Sequence, residues 1–301
     1  MHHNNHHHKN NEGNIKVAFF LNFGFAIIEA VGGYFTNSIA IMADALHDLG
    51  DSISILLSWQ LERLSNRSSN TRYSYGYKRY SLLGAFFSSL ILIAGIIVVT
   101  IESIKRMQNP QTANAQGMLM LSLAGIAANG LAAIRAGKGK NLNSRIIYWH
   151  MLEDALGWSA VLIVSIVLLF IDMPILDPIL SLAISVFILF NVIRNLKQTI
   201  DLFLQGVPKG VDIREIERAV VADEKVEGIH HTHIWSLDGE DHVLTSHVVL
   251  EENTRKEDIR RIKEIFRQLA GDYHLAHTTI EFEYEESDCS MNDNCEEEQD
   301  E

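Results

Sequence analysis

Long apolar stretches separated by short polar turns occupy most of residues 15–203. A helix needs about 20 mainly apolar residues to cross a bilayer. Six stretches meet this requirement, at residues 15–35, 39–62, 80–104, 114–135, 146–171 and 177–203. Turn-forming residues separate them, for example at positions 36–38 and 108–110. The pattern predicts a membrane domain of six transmembrane helices.

Beyond residue 203 the apolar positions become periodic and charged residues fill the gaps. Two helical segments, three β-rich segments and an Asp238-Gly239 hairpin signal follow in order. The predicted elements are helix Val211–Ala222, strands Gly228–Leu237 and Val243–Glu251, helix Thr254–Ala270 and strand Thr278–Tyr284. The order indicates a small α+β ferredoxin-like domain over residues 204–286. On its second helix, Ile259, Ile262, Ile265, Phe266 and Leu269 share one face.

The charge of the chain is unevenly distributed. The formal net charge is −13 over 301 residues, and from Glu281 onward there are eleven Asp and Glu but no Lys or Arg. Residues 287–301 are therefore predicted to be an acidic, disordered tail. Because nucleic-acid binding requires a basic patch, no nucleic-acid partner is expected. Cys289 and Cys295, the only cysteines, form no disulfide framework and are expected to stay reduced, with weak metal capture as the alternative.

Basic residues mark which loops face the cytoplasm. They concentrate after the second and fourth apolar stretches, at Arg63, Arg67, Arg72, Lys78, Arg79, Lys138 and Lys140. Basic loops remain on the cytoplasmic side. We therefore expect both termini and the ferredoxin-like domain to be cytoplasmic. The membrane is expected to be a bacterial inner membrane, with an organelle membrane as the eukaryotic alternative.

Two matched pairs of ionisable residues interrupt the apolar stretches. His47 precedes Asp51 by four residues, and His150 precedes Asp154 by the same spacing. Residues at i and i+4 share a helix face, and ionisable groups inside a membrane are costly and usually functional. Two imidazoles and two carboxylates make a four-ligand set that favours Zn²⁺. Cd²⁺, Co²⁺, Mn²⁺ and Fe²⁺ remain possible cargo.

Other interpretations of these pairs stay open at this point. The histidines could pack helices together, or the set could belong to a membrane metalloenzyme, a passive channel or a metal sensor. Four ligands without an adjacent nucleophile argue against an enzyme, because catalytic zinc usually keeps one position open. Asp48 lies about 100° round the helix from His47 and is not counted as a ligand. Glu29 and Asn129 are further polar points that could line a path.

Ordered motifs along the chain carry a family resemblance. They are Glu29-Ala30-Val31-Gly32-Gly33, Ser38-Ile39-Ala40, Ala43-Asp44-Ala45-Leu46-His47-Asp48, Tyr75-Gly76-Tyr77-Lys78-Arg79, His150 to Gly157, Asp177-Pro178-Ile179 and Gly206-Val207-Pro208. With these motifs the chain resembles the cation diffusion facilitators, a family of divalent-metal/proton antiporters. The resemblance implies a transporter, not an enzyme, that exports divalent metal, Zn²⁺ first, in exchange for protons by alternating access. Its transport site matches His47, Asp51, His150 and Asp154.

The resemblance also implies a homodimer whose cytoplasmic domain binds regulatory metal. The domain holds seven histidines, and on a regular strand His231 and His233 point to one face while His230 points to the other. We favour a regulatory Zn²⁺ site of four residues, His233, His247, His277 and Glu281. Sheet histidines that bind no metal are the alternative.

The first fourteen residues form a His-rich leader, expected on the cytoplasmic side. The leader could gather metal near the transport path, or it could be a solvated segment or cloning remnant. Residues 66–77 contain neither Asp nor His. No metal site is therefore expected in that loop.

Overall fold

A computed structural model describes residues 5–65, 67–137 and 142–284. Three predictions lie outside these described residues. They concern the first four residues of the leader, the acidic tail with both cysteines, and part of the loop near residue 140. The described chain divides into two compact units. We call them the helical unit, which comprises residues up to 61 and residues 84–197, and the sheet unit, which comprises residues 62–83 and those from 198 onward.

Six long helices supply the helical unit. They are α1 (Asn5–Thr36), α2 (Ile39–Ser65), α3 (Tyr80–Gln108), α4 (Ala115–Ala136), α5 (Leu142–Phe170) and α6 (Leu176–Phe203). Among the described residues, five are long and apolar enough to cross a membrane, and α2 is not among them. The reason is chemical: α2 carries Asp44, Asp48 and Asp51 among its apolar residues, which lowers its mean hydropathy. The predicted helical membrane fold is confirmed.

The close packing of α4 on α5 depends on a glycine. A Cβ added to Gly125 would lie 2.3 Å from Cδ2 of Trp158, far inside van der Waals contact. The Trp158 side chain is 2% exposed and packs with Ile41, Met118 and Val161 in one buried cluster. Glycine at position 125 therefore lets the tryptophan of α5 lie flat against the backbone of α4.

The sheet unit has the predicted order of elements. They are α7 (Ile213–Val221), β1 (Val226–Ser236), β2 (His242–Leu250), α8 (Lys256–Asp272) and β3 (Leu275–Glu283). The sheet order is β1-β2-β3, with β1 antiparallel and β3 parallel to β2. This small α/β domain confirms the predicted fold class, with three strands among the described residues.

The core of the sheet unit lies between the sheet and its two helices. Ile262 and Phe266 of α8 are buried against Leu244 and Val248 of β2 in one cluster. Ile259, Ile265 and Leu269 pack around that cluster, which confirms the predicted apolar face of α8.

The predicted hairpin turn between β1 and β2 is also confirmed. Asp238 Oδ1 accepts hydrogen bonds from the backbone N–H groups of Glu240 and Asp241, at 3.0 and 2.8 Å. Gly239 has a φ of 102°, a conformation that glycine adopts without steric cost. The Asp-Gly pair therefore fixes the turn for the reasons that made it a sequence signal.

An ion pair joins the two helices of the sheet unit. Arg261 of α8 donates two hydrogen bonds to the Asp223 carboxylate, which follows α7, at 2.6 and 2.9 Å. These bonds and the positive charge lower the pKa of Asp223 below its usual value. The pair holds α8 to the end of α7 through two parallel, charge-assisted bonds.

Candidate metal centres

Helix periodicity places each predicted His and Asp of the helical unit on one face of its helix. On α2, His47 Nε2 lies 3.8 Å from Asp51 Oδ2. On α5, His150 Nε2 lies 3.8 Å from Asp154 Oδ2. Both distances are those of side chains one turn apart that point in the same direction.

The two helices bring these pairs to one point. His150 Nε2 lies 3.5 Å from Asp51 Oδ2 across the α2–α5 contact, and the two imidazole rings are 6.4 Å apart by their centroids. The four predicted side chains therefore form a continuous series of contacts, from His47 through Asp51 and His150 to Asp154. The donor set is two imidazole nitrogens and two carboxylates, which suits Zn²⁺ and similar divalent ions.

Asp48 also lies close to these side chains, which the sequence reasoning did not predict. Ligand atoms of His47, Asp48 and Asp154 lie within 4.8 Å of one another. The Asp48 side chain is 4% exposed. Along α2, the 100° offset between neighbouring positions turns Asp48 away from the direction of His47. Asp154 of α5 nevertheless lies close to Asp48.

A cavity of about 480 Å³ adjoins two of the four side chains, His47 and Asp154. Asp44, His47 and Asp154 line it, and apolar residues of α5 and α6 form most of the remaining wall. Glu153 also lines the cavity and accepts a hydrogen bond from Asn191 Nδ2 at 3.3 Å. The cavity gives the ligand set a space through which an ion could reach it within the helical unit.

Asp177 of α6 fixes the start of α2, the helix that carries His47. Its carboxylate accepts hydrogen bonds from Ser38 Oγ at 2.5 Å and from the Ile39 backbone N–H at 2.7 Å. Asp177 is 2% exposed. A side chain distant in sequence therefore caps α2, since the first N–H groups of a helix lack partners within it.

A second group of metal-binding side chains lies on the sheet. His247 Nδ1 is 2.6 Å from Glu283 Oε1, and His230 Nε2 is 3.1 Å from Glu283 Oε2. Their ligand atoms all lie within 4.8 Å of one another. We call His230, His247 and Glu283 the sheet cluster. One residue comes from each strand, and Glu283 is 4% exposed.

The sheet cluster differs from the predicted set of His233, His247, His277 and Glu281. His247 Nε2 lies 3.6 Å from Glu281 Oε2, so these two predicted residues are together. His233 pairs with Thr245 in the sheet register, and the His277 ring packs 5.2 Å from that of Tyr75. The structure does not group either of them with His247.

The register of β1 against β2 explains this difference. His230 pairs directly with His247, and the two rings are 5.4 Å apart. The register shifts beyond His230, before His233, and His231 has a φ of 48°. Such a bulge breaks the alternation of side chains between the two faces of a strand. Three histidines within four residues were the available signal, but alternation alone does not reveal which of them pairs with His247.

Fold and ligand set together define a multi-pass membrane protein with metal-binding side chains between its helices. Residues 15–204 match the profile of the cation efflux transmembrane domain, and residues 208–285 match that of the cation efflux protein cytoplasmic domain. The chain therefore belongs to the cation efflux family, the cation diffusion facilitators. This membership confirms the predicted family. It also confirms the prediction that the protein is a transporter and not an enzyme.

The sequence matches curated relatives over most of their length. The chain is 30% identical over 286 residues to the cadmium, cobalt and zinc/H⁺–K⁺ antiporter of Bacillus velezensis, covering 94% of this chain and 91% of the relative. It is 31% identical over 291 residues to zinc transporter ZitB of Escherichia coli, covering 94% and 92%. It is 29% identical over 283 residues to metal cation efflux system protein CzcD of Cupriavidus metallidurans, covering 93% and 89%.

Proposed function

We propose that this protein exports divalent transition metal, Zn²⁺ first, from the cytoplasm in exchange for protons by alternating access. The observation that carries the proposal is the convergence of His47, Asp51, His150 and Asp154 between α2 and α5. Four such ligands complete a tetrahedral Zn²⁺ site. The names of the relatives add cadmium and cobalt as alternative cargo.

Proton coupling follows from the chemistry of the ligands. A metal ion binds neutral imidazole and ionised carboxylate, so binding releases protons and protonation releases metal. The four side chains thus bind either Zn²⁺ or protons. When the helices reorient toward the outside, protons there displace the ion, and their inward return drives the next export step. Two Bacillus relatives are also named for K⁺, so K⁺ is the alternative counter-ion to test.

The decisive experiment is Zn²⁺ uptake by proteoliposomes with an imposed pH gradient. The parent should accumulate zinc while protons leave the lumen, which a pH dye trapped inside reports as a rise in luminal pH. His47→Ala and Asp51→Ala should lose uptake, whereas Glu102→Gln, an exposed acid of α3, should keep it. Transport by both site variants at the parental rate would refute the assignment. Repeating the assay with Cd²⁺, Co²⁺, Mn²⁺ and Fe²⁺, and with K⁺ in place of the pH gradient, identifies cargo and counter-ion.

The proposed orientation keeps both termini and the sheet unit in the cytoplasm. It is supported by the basic loops that follow the second and fourth helices. Cys289 and Cys295 are the only cysteines, so the tail can be labelled without engineering. A membrane-impermeant maleimide should label inside-out vesicles and leave right-side-out cells unlabelled. Labelling of intact cells would reverse the topology.

We propose that the sheet cluster is the regulatory metal site, with Glu281 near enough to His247 to contribute. The protein is proposed to act as a homodimer through its cytoplasmic domain, and metal bound there would favour one state of the transport cycle. Such bias requires different metal affinities in the two states. Zinc should therefore tighten the dimer in sedimentation experiments, and Glu283→Gln should remove that zinc dependence. A zinc response unchanged by Glu283→Gln would exclude the sheet cluster.

A further inference from the structure

A pocket lined by basic and aromatic side chains lies inside the sheet unit, and none of the proposed metal ligands is among its described lining residues. Its volume is about 350 Å³, which falls in the range of small-molecule sites, roughly 300–1,000 Å³. Most of the wall comes from the loop between α2 and α3, and the rest from the chain after α6 and the end of β1. The lining side chains include Arg72, Tyr73, Tyr77, Arg79, Tyr80 and Trp235. We call this cavity the loop pocket.

The described residues leave positive charge in the loop pocket without an acid to pair with it. Two arginines and one lysine line the pocket, and none of its described lining residues is Asp or Glu. Lys78 pairs with Asp238 and Asp241 of the turn after β1, which balances its charge. None of the ion pairs between described residues includes Arg72 or Arg79. Since Arg79 is half-buried, and a charge partly removed from water attracts a counter-ion more strongly, the pocket favours an anion.

Tyrosine hydroxyls add hydrogen-bond donors to the same wall. Tyr77 Oη accepts a hydrogen bond from Asn70 Nδ2 at 2.8 Å, which leaves its own O–H group to donate. The hydroxyls of Tyr73 and Tyr80 are 3.4 Å apart, and only one of the two can donate to the other. Within the described hydrogen bonds, two hydroxyl protons are therefore left for an acceptor in the pocket. Charged oxygens, such as those of a phosphate, form short and strong bonds with guanidinium and hydroxyl donors.

Ring packing restrains these side chains before any ligand arrives. The Tyr73 ring centroid lies 4.7 Å from that of Tyr77 and 6.3 Å from that of Tyr80. Arg72 Cζ lies 5.5 Å from the centroid of the Tyr73 ring, a cation–π distance. A ligand therefore loses little affinity to the ordering of these side chains.

Chain connectivity keeps the loop pocket close to the ends of two membrane spans. Tyr80 is the first residue of α3, whose 29 residues are long and apolar enough to cross a membrane. Gln205, which also lines the pocket, follows two residues after the end of α6, a second such helix. Tyr and Trp are enriched at the level of the lipid headgroups, and basic side chains near a bilayer attract acidic lipids. The headgroup of an acidic phospholipid is the anion concentrated at this level.

We propose that the loop pocket binds the phosphate group of an acidic phospholipid headgroup. Arg72 and Arg79 pair with its negative charge, and the tyrosine hydroxyls donate to its oxygens. A zwitterionic headgroup carries a cation beside its phosphate, which the two arginines disfavour. The binding does not depend on metal transport, so the proposed function can fail without affecting it.

The test measures phospholipid binding to the full chain purified in detergent, by native mass spectrometry. Phosphatidylglycerol and phosphatidylcholine with identical acyl chains are supplied at equal concentrations. The parent should prefer phosphatidylglycerol by about tenfold or more, since one hydrogen bond to a charged group has an effect of that order. Arg72→Gln combined with Arg79→Gln should abolish most of this preference. Arg67→Gln combined with Lys209→Gln removes the same charge from exposed residues of the sheet unit that do not line the pocket, and should keep the preference.

Two conservative changes separate binding from folding. Tyr77→Phe removes only a hydroxyl group and should weaken the preference severalfold while the lipid-free protein unfolds with the parent. Arg72→Lys combined with Arg79→Lys keeps the charge and loses the planar fork of donors, so it should restore part of the preference that the glutamine variant loses. If the glutamine variant unfolds below the parent, Tyr77→Phe decides, and an undiminished preference in that variant overturns the proposal.

The remaining outcomes are equally definite. A preference lost in the glutamine variant and kept in the charge-matched control supports the loop pocket as the lipid site. Equal preference in those two variants overturns it, because general attraction to basic residues then suffices. Inorganic phosphate serves as the soluble probe. A parent stabilised against thermal unfolding by inorganic phosphate, but with no preference for phosphatidylglycerol, would assign the pocket to a soluble phosphate compound and overturn the lipid proposal.

Discussion

Replacing Asp177 by alanine should destabilise the helical unit by removing the cap of α2. The carboxylate accepts from Ser38 Oγ at 2.5 Å and from the Ile39 N–H at 2.7 Å, while the Ala40 N–H at 3.4 Å contributes little. A hydrogen bond to a charged group contributes about 1.5–3 kcal/mol, which sets an upper limit of about 6 kcal/mol for the two short bonds. Losing an ordinary N-cap costs about 0.5–2 kcal/mol.

The expected cost lies between these limits. The Asp177 carboxylate is 2% exposed, so its removal also relieves the desolvation penalty of a buried charge. We therefore expect Asp177→Ala to lower the free energy of unfolding by about 2–4 kcal/mol. For a unit of this size that corresponds to a fall in the unfolding midpoint of roughly 4–16 °C. Asp177→Asn keeps one acceptor oxygen and should lose about half as much.

Intrinsic tryptophan fluorescence of the detergent-purified protein measures this change. Asp172→Ala, an exposed acid in the loop before α6, is the matched control and should unfold with the parent. Since α2 carries His47 and Asp51, Asp177→Ala should also weaken zinc-dependent stabilisation. An Asp177→Ala protein that unfolds within about 1 °C of the parent would refute the capping argument, because the buried donors would then have found other partners.

Three further outcomes follow from the structure. Gly125→Ala should lower the free energy of unfolding by about 1–3 kcal/mol through overpacking, because the added Cβ meets the buried Trp158 of α5. Gly130→Ala on the same helix is the control, since its Cβ meets nothing within 4 Å. Thermal unfolding of both variants measures the difference. Glu283→Gln should abolish Zn²⁺ binding to the sheet cluster, measured by calorimetry, and unchanged binding would contradict it. Arg261 lowers the pKa of Asp223, so the pair stabilises the sheet unit at neutral pH and loses that effect as the pH falls through the lowered pKa. The free energy of unfolding of Arg261→Ala should therefore depend less on pH below about 4 than that of the parent. Equal acid sensitivity of the two proteins would argue against the pair.

Local periodicity in the sequence is sufficient to predict the helices and strands, and half of the geometry of the proposed transport site. The i, i+4 spacing of His47 and Asp51, and of His150 and Asp154, places each pair on one helix face whatever the fold. Apolar length predicted six helices, and alternation with an Asp-Gly turn predicted the order of the sheet unit. These signals are short-range because they arise from the geometry of a single helix or strand.

Only the tertiary structure decided which elements meet and which side chains they bring together. The approach of α2 to α5 places Asp51 3.5 Å from His150 and brings Asp48 within reach, and Asp177 caps a helix 138 residues away. The register of β1 against β2 pairs His230 with His247 and brings both to Glu283. Each of these contacts depends on strand register or helix packing. Packing is set by the whole buried surface, which no spacing within one segment encodes.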